Sequence, residues 1–538
     1  LGAAASGAPA IARPRRLASH PAFEWWPVPV AAAGGLLNAL AFPPVGWWGL
    51  AFVGTSLLLG AAASGRFRVV LAAGVVGGAV FWGTLTSWLT VYLGPAPWLA
   101  LTALEAGIFG AGMLTIWFAW RAIHLTIRPP GMRLIVAPPL IGGLWVLQET
   151  VAGSWPYGGF SWAALAYSQA TSPMAELAAW IGTSGLSFVI AALAALLVEM
   201  LRSGVIRDPR WAVLPFAIAL GLAAAPPFPI AEQGSMRIGA VQGNSEAGLL
   251  AENAPDRILT DHLRASEPIL DRDMDLLVWP ENASDLNPVT SRAAAGALDD
   301  LSETVSAPLV FGTITQNGDD QFNSLLLWDA GSGATAQYDK KRPVPFAEYL
   351  PDRAFWYPLA PDLFDLIPRD LSIGTRQNVF EVDDVPVGLA ICFDIVDQGL
   401  VRDMVAGGAQ VILVPSNNAD FGRTGQSEQQ LAIARIRAIE AGRAVVNIST
   451  VAGSAMVGPG GATINALESF SPGAMVDEVP LSTTITPAMA FGVTLQALIL
   501  TGSVGSLVAC AVVAGRRRWP FSRGGRAGAS GRRRFRCR

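Results

Sequence analysis

Cys392 stands at the end of an apolar run, Val387-Gly-Leu-Ala-Ile-Cys392-Phe-Asp394, where a strand has to turn. A thiol in that position projects from a rigid edge into a cleft, either as a nucleophile or as a packed small hydrophobe. The only other cysteines are Cys510, in a later apolar stretch, and Cys537, in the tail, so no disulfide is expected around Cys392. A nucleophilic thiol needs a base to take its proton and a donor to hold the oxyanion of a tetrahedral intermediate. The usual base is scarce: His20, His124 and His262 are the only histidines. His262, in Asp261-His262-Leu-Arg264, is expected on a solvated helix face, so a Cys/His pair is disfavoured. No zinc-type His/Cys cluster and no phosphate-cradling glycine loop is present.

A carboxylate and a lysine remain. Glu281 ends a second apolar run, Leu276-Leu-Val-Trp-Pro-Glu281, after a proline that stiffens the turn. The chain uses 35 arginines and two lysines, and both lysines are adjacent, at Lys340 and Lys341. They lie in Tyr338-Asp-Lys-Lys-Arg-Pro-Val-Pro-Phe-Ala-Glu348-Tyr349-Leu-Pro351. Lysine offers a compact ammonium on a flexible stem, which arginine cannot imitate. Chance use of lysine at a solvated loop is the plain alternative.

Glu281, Lys340 and Cys392 together resemble the Glu-Lys-Cys triad of the nitrilase superfamily. The surrounding motifs narrow this. WPEN around Glu281, YDK and VPFAEYLP around Lys340 and Glu348, ICFD around Cys392, then SNNADFG and Ala434–Arg443 follow one another in the order of the apolipoprotein N-acyltransferase family. The resemblance covers nearly the whole chain. It departs from the family pattern at Ala347, where glycine is usual, at Phe393-Asp394, where a Tyr-Glu pair is usual, and at Asp420, where tryptophan is usual. It implies that Cys392 is the nucleophile, Glu281 the general base and then acid, and Lys340 the oxyanion stabiliser. Glu348, Tyr349, Trp356, Phe393 and Asp394 are implied on the substrate side or just behind the triad. The reaction so implied moves an acyl chain from a membrane phospholipid, through a cysteine thioester, to the free α-amine of a lipoprotein's diacylglyceryl-cysteine, with ping-pong kinetics and no cofactor.

The elements that must hold these residues fall into two environments. Hydrophobic residues make up 52% of the 538 residues and charged ones 14%, which excludes disorder and points to a membrane protein. Between Met236 and Pro480 lie 34 acidic and 16 basic residues; the rest of the chain has 7 and 21. Before residue 236, stretches at about 27–44, 46–64, 69–93, 97–120, 134–152, 176–200 and 211–229 are long enough to consider as membrane spans of about 20 residues, and an eighth follows at 486–514. Pro43-Pro44-Val45-Gly46 reads as the turn between the first two. Arginines occupy alternate loops (Arg13, Arg15, Arg16; Arg66, Arg68; Arg121, Arg128, Arg133; Arg202, Arg207, Arg210), whereas the loops around Pro44, Pro95 and 153–175 have none. Under the positive-inside rule both termini are cytoplasmic and 236–480 lies across the membrane. Glu105 and Glu149, in or beside spans, are functional candidates by placement alone. No cleavable signal is read at the start of the chain, which begins at Leu1.

The expected organisation is therefore a cytoplasmic arm (1–26), a seven-span bundle (27–235), an extracytoplasmic α/β domain (236–480), an eighth span (486–514) and an Arg-rich cytoplasmic tail (515–538). Within 236–480, apolar runs at Arg237–Val241, Leu276–Trp279, Leu309–Thr315, Ser324–Asp329, Val385–Ile391, Val411–Val414 and Ala444–Ile448 read as strands, with helices near 291–305 and 426–442. The fold class is a multi-pass helical membrane bundle of about eight spans with an inserted nitrilase-like αββα sandwich. The apolar segment Ala354–Leu359, with Leu363, Phe364, Leu366 and Ile367, is expected either on the bilayer interface as a lid or tucked onto the domain's own core. Expected partners are the phospholipid donor, the lipoprotein acceptor, the membrane and a polyprenol-phosphate glycosyltransferase, the last by resemblance; no nucleic acid is expected. Two rival readings stand beside the acyltransferase: a membrane-tethered amidase that uses water, and a non-catalytic scaffold.

Overall fold

The computed structural model describes residues 24–245, 247–248, 251, 254–367 and 370–517. The amino-terminal arginines and most of the basic tail lie outside those residues. Among the described residues, five helices are long and apolar enough to cross a membrane: Phe67–Leu85, Pro95–Thr126, Pro130–Ala152, Leu177–Ser203 and Pro487–Gly515. Three more apolar helices are shorter, Pro27–Ala41, Leu50–Ser64 and Pro209–Ala223. A 15-residue helix is about 22 Å long, less than the ~30 Å hydrocarbon layer. The eight expected stretches thus become five full-length and three short apolar helices. The segment expected as a helix over 211–229 departs most. Its last helical turn ends at Ala223, because Pro226, Pro227 and Pro229 cannot continue a helix, and the chain runs on without helix or strand until Glu232.

Small residues let the bundle helices approach closely. A Cβ on Gly35 would overlap the Gly77 carbonyl, so Pro27–Ala41 and Phe67–Leu85 meet backbone to backbone. Where helices meet, Asn38 and Thr55 hydrogen-bond to each other, buried, rather than face lipid.

The α/β part has two six-stranded sheets. In the first the spatial order is β12-β1-β2-β3-β4-β5 and in the second β11-β10-β9-β8-β7-β6. The strands are β1 (Glu232–Gln242), β2 (Leu276–Val278), β3 (Leu309–Asn317), β4 (Asp320–Asp329), β5 (Gly333–Asp339), β6 (Val379–Val382), β7 (Val385–Leu389), β8 (Val411–Ser416), β9 (Ala444–Ser449), β10 (Ala455–Val457), β11 (Thr463–Ala466) and β12 (Gly473–Ser482). Each sheet has a parallel centre, β1-β2-β3 and β7-β8-β9, flanked by antiparallel strands.

Alternation along the strands makes the layers. Val411 and Leu413 pack between the sheets with Ile238, Val278 and Val387, while Ile412 and Val414 point the other way. Helices α1 (Arg257–Ser266) and α2 (Arg292–Val305) cover the first sheet through Leu259, Leu298 and Leu301. Helices α3 (Gln398–Ala406) and α4 (Gln426–Ala441) cover the second. The result is an αββα sandwich, and its α4 layer shares one apolar core with the membrane bundle.

Polar contacts fix that junction. Gln429 on α4 accepts from the indole N–H groups of Trp88 and Trp162 and donates to the Pro43 and Leu85 carbonyls. Three bundle segments therefore converge on one side chain. Nearby, the helix Leu177–Ser203 is broken at Gly182, whose φ of 70° only glycine adopts readily. The break frees the Thr183 N–H, which donates to Glu440 of α4 at 2.9 Å.

Candidate active site

The chemistry-bearing residues sit just beyond the carboxyl ends of strands. Glu281 follows β2 by three residues, Lys340 comes directly after β5, Cys392 follows β7, and Asn417 follows β8. In sheets with a parallel centre this is where clefts form.

Lys340 Nζ lies 3.0 Å from Glu281 Oε1 and 2.9 Å from Glu348 Oε2, and both Lys340 and Glu281 are only 3% exposed. Asn323, on β4, donates to both carboxylates, at 2.6 Å to Glu281 and 3.0 Å to Glu348. The second Glu281 oxygen accepts from the Asn417 backbone N–H at 2.7 Å, and Val344 N–H donates to Glu348 Oε2 at 2.7 Å. The two carboxylates that flank the ammonium thus accept four hydrogen bonds from three donors, Asn323 Nδ2 and the Asn417 and Val344 N–H groups. Burial alone would lower the Lys340 pKa, but the Glu281 and Glu348 charges outweigh it and hold it well above the ordinary lysine value.

Cys392 has a positive φ of 50°, strained for a residue with a Cβ, and opens a one-turn helix, Cys392–Val396. Asp394 holds that turn. Its carboxylate accepts from the Ile391 N–H at 3.2 Å, from the buried Tyr338 hydroxyl at 2.8 Å and from the Arg342 N–H at 2.8 Å. The Cys392 turn is thereby tied to β5 and to the loop that carries Lys340. Burial pushes the Asp394 carboxyl up to about 6, against the opposing Lys340 charge and these hydrogen bonds.

The thiol itself is half-buried. Burial pushes its pKa up, the Glu281 charge adds to this, and Lys340 and the Asn417 N–H oppose it. At neutral pH Cys392 therefore carries its proton. Its sulfur donates a long hydrogen bond to Gln430 Oε1 at 4.0 Å. Gln430 is oriented in turn by donating to Ser416 Oγ at 2.7 Å.

Glu281, Lys340, Glu348, Cys392 and Asp394 are thus gathered in one place. Phe393 turns toward the bundle, stacked on Phe160 at 5.5 Å and on Trp162 at 6.3 Å. Trp356 makes its hydrogen bond to Tyr157 of the bundle loop at 3.0 Å and packs on Phe346, away from the carboxylates. Tyr349 is half-buried in the loop after Glu348, and its carbonyl accepts from the Phe346 N–H.

One expectation is overturned. His262 is not solvated: it is 0% exposed, its Nδ1 bonds the Ile258 carbonyl at 2.8 Å, and its ring lies 5.5 Å from that of Trp279. Gly243 leaves room for the imidazole face, and burial lowers the ring's pKa to about 4.

Sequence reasoning missed Asn323, Asn417, Gln430, Phe160 and Trp162 as parts of this neighbourhood. Asn323 had one readable signal, a polar residue in front of the apolar run Leu325–Trp328. Phe160 and Trp162 had another, aromatic rings in a loop without a single Lys or Arg.

The apolipoprotein N-acyltransferase N-terminal domain model matches residues 34–196, and the carbon-nitrogen hydrolase model matches 237–486. An apolipoprotein N-acyltransferase of Mycolicibacterium smegmatis is 31% identical over 533 residues, covering 90% of this chain and 84% of that protein. One from Pseudomonas aeruginosa is 28% identical, covering 86% of this chain and 92% of its own length. Among solved structures, an amidase from Nesterenkonia sp. aligns over 47% of this chain and 94% of its own, at 19% identity and a TM-score of 0.35. With both family models in order along the chain and a relative matched almost end to end, this chain belongs to the apolipoprotein N-acyltransferase family.

Proposed function

We propose that Cys392 takes an acyl chain from a membrane phospholipid as a thioester and passes it to the α-amine of a lipoprotein's diacylglyceryl-cysteine. The observation that carries this reading is the buried Glu281–Lys340–Glu348 contact set beside a half-buried thiol on a strained turn. In the first step Cys392 attacks the ester carbonyl while its proton passes to Glu281. Lys340 faces the developing oxyanion, and Glu281 returns the proton to the departing lysophospholipid oxygen. In the second step Glu281 takes a proton from the acceptor amine as it attacks the thioester, forming the amide and releasing the thiol. Glu348 and Asn323 hold Lys340 and Glu281 in register rather than react.

Both substrates are lipids, which gives a reason for a nitrilase-like domain to share a core with a membrane bundle. We read all eight apolar helices as crossings, with the sandwich outside the cytoplasmic membrane and both termini inside. The loops around Pro43, Trp88 and 160–169, which contain no Lys or Arg, are those that touch the sandwich. Arg66, Arg121, Arg133 and Arg202 instead belong to the opposite helix ends, where Arg133 pairs with Glu199 and Arg202 donates to the Ala63 carbonyl. That separation is what the positive-inside rule expects. A glycosyltransferase partner remains part of the proposal through resemblance alone, and the basic tail is its contact surface.

Mass spectrometry of lipoproteins from a deletion strain tests the reading. The N-linked acyl chain disappears, returns with the wild-type gene and stays absent with Cys392→Ala. A tethered amidase leaves the acylation intact in the deletion strain, and a scaffold is rescued by Cys392→Ala.

A further inference from the structure

Beneath the sandwich the bundle holds a second, small and mostly apolar cleft of about 40 Å³ between Phe67–Leu85, Pro95–Thr126, Pro130–Ala152 and the 160–164 loop. Trp82, Phe109, Trp145 and Phe160 form much of its wall, and the carboxyl groups of Glu105 and Glu149 line it too. Glu149 is provided for within the chain: its Oε1 accepts from Trp145 Nε1 at 2.8 Å and from the Leu165 N–H at 3.0 Å. Glu105 is not. It is 1% exposed, and its Oε2 has no hydrogen-bond partner among the described residues.

An ionisable side chain at membrane depth is kept where it is paired or at work, and an unpaired buried acceptor is costly. A ligand entering the cleft would supply the donor that Glu105 lacks. Carboxylates among aromatic faces suit one ligand class, an ammonium, which donates to the oxygens and presents its charge to the rings. Phe160 links this cleft to the catalytic turn, since it also stacks on Phe393, the residue after Cys392.

We propose that the Glu105–Glu149 cleft binds the primary ammonium group of a lipid substrate whose remainder extends past Phe160 toward Cys392. The inference rests on the acyltransferase reading. Two substrate groups carry this chemistry, an amino-bearing headgroup on the phospholipid donor and the α-amine of the diacylglyceryl-cysteine acceptor.

Glu105→Gln keeps the shape and removes the charge. The purified enzyme in mixed micelles is given diacyl phosphoethanolamine or diacyl phosphoglycerol with identical chains, and the Cys392 thioester is followed without acceptor. Its transfer to a synthetic diacylglyceryl-cysteine peptide is then followed separately. Loss of a charged hydrogen bond costs about tenfold. If the headgroup is the ligand, acylation from the phosphoethanolamine donor slows about tenfold and that from phosphoglycerol is unchanged. If the acceptor amine is the ligand, both acylations are unchanged and KM for the peptide rises about tenfold. Either result supports the ammonium site. Equal change with both donors, or no change in either step, overturns it while leaving the acyltransferase reading standing. Absence of thioester in the wild type overturns that reading and the inference with it. Should the variant not fold, wild-type Tm is compared with lysophosphoethanolamine and lysophosphoglycerol: a rise with the first alone supports the site, and equal shifts overturn it.

Discussion

Cys392 differs from an activated thiolate of low pKa. Burial and the Glu281 charge push the thiol up, so it carries its proton at neutral pH, and in the proposed mechanism it gives that proton to Glu281 as it attacks. A small alkylating agent should therefore modify Cys392 slowly at pH 7, with a rate that still climbs at pH 9 and shows no plateau. A plateau below pH 8 would contradict this electrostatic account. At this scale the sequence exposed the reactive types well, because a lone thiol and a lone lysine pair stand out in an arginine-rich chain. It did not expose Asn323 or the Asn417 backbone N–H, whose roles exist only once β2, β4 and β8 bring them within 3 Å of one carboxylate. His262 was misread for the same reason. Asp261 and Arg264 advertise a wet helix, while the ring's burial is decided by Gly243 and Trp279.

Helix α4 joins the catalytic turn to the membrane bundle. Arg437, 2% exposed, donates to the Ile395 and Val396 carbonyls behind Cys392, to Tyr167 and Thr183 of the bundle, and pairs with Glu440. Arg437→Met leaves Glu440 unpaired in the core and should cost about 3–5 kcal/mol, read as a marked fall in Tm of the detergent-purified enzyme. An unchanged Tm would show that the junction is held by apolar packing alone. The segment 354–367 divides between the two expectations set by its composition. Phe364 and Ile367 tuck onto Leu350, whereas Phe355 is 63% and Leu359 65% exposed. Replacing Phe355 and Leu359 by serine should slow turnover of lipid donors several-fold and spare a water-soluble ester; equal loss on both would end the lid idea. Apolar runs revealed the parallel strands because those are buried on both faces. The edges stayed hidden: β11 is almost wholly exposed and offers no apolar pattern.

At the scale of the whole molecule, the division between an acidic sandwich and a charge-poor bundle was legible from charge alone. The count of crossings was less so, since apolar stretches do not show where proline ends a helix, as after Ala223. Topology is testable in intact cells that carry a version without native cysteines. A membrane-impermeant maleimide should label Ser332→Cys in the β4–β5 turn and leave Arg207→Cys unlabelled until the membrane is opened. The reverse pattern would put the site on the cytoplasmic side.

The central claim is that Cys392 carries the acyl chain between two lipids. Incubating the purified enzyme with acyl-labelled phospholipid and no acceptor, then digesting it and weighing the Cys392 peptide, reads this directly. The account predicts one acyl chain on Cys392, removed by neutral hydroxylamine, absent in Cys392→Ala, and formed about 10²–10⁴-fold more slowly in Glu281→Gln. A label found on another residue, or an unmodified Cys392 in an enzyme that still acylates lipoprotein, would contradict it.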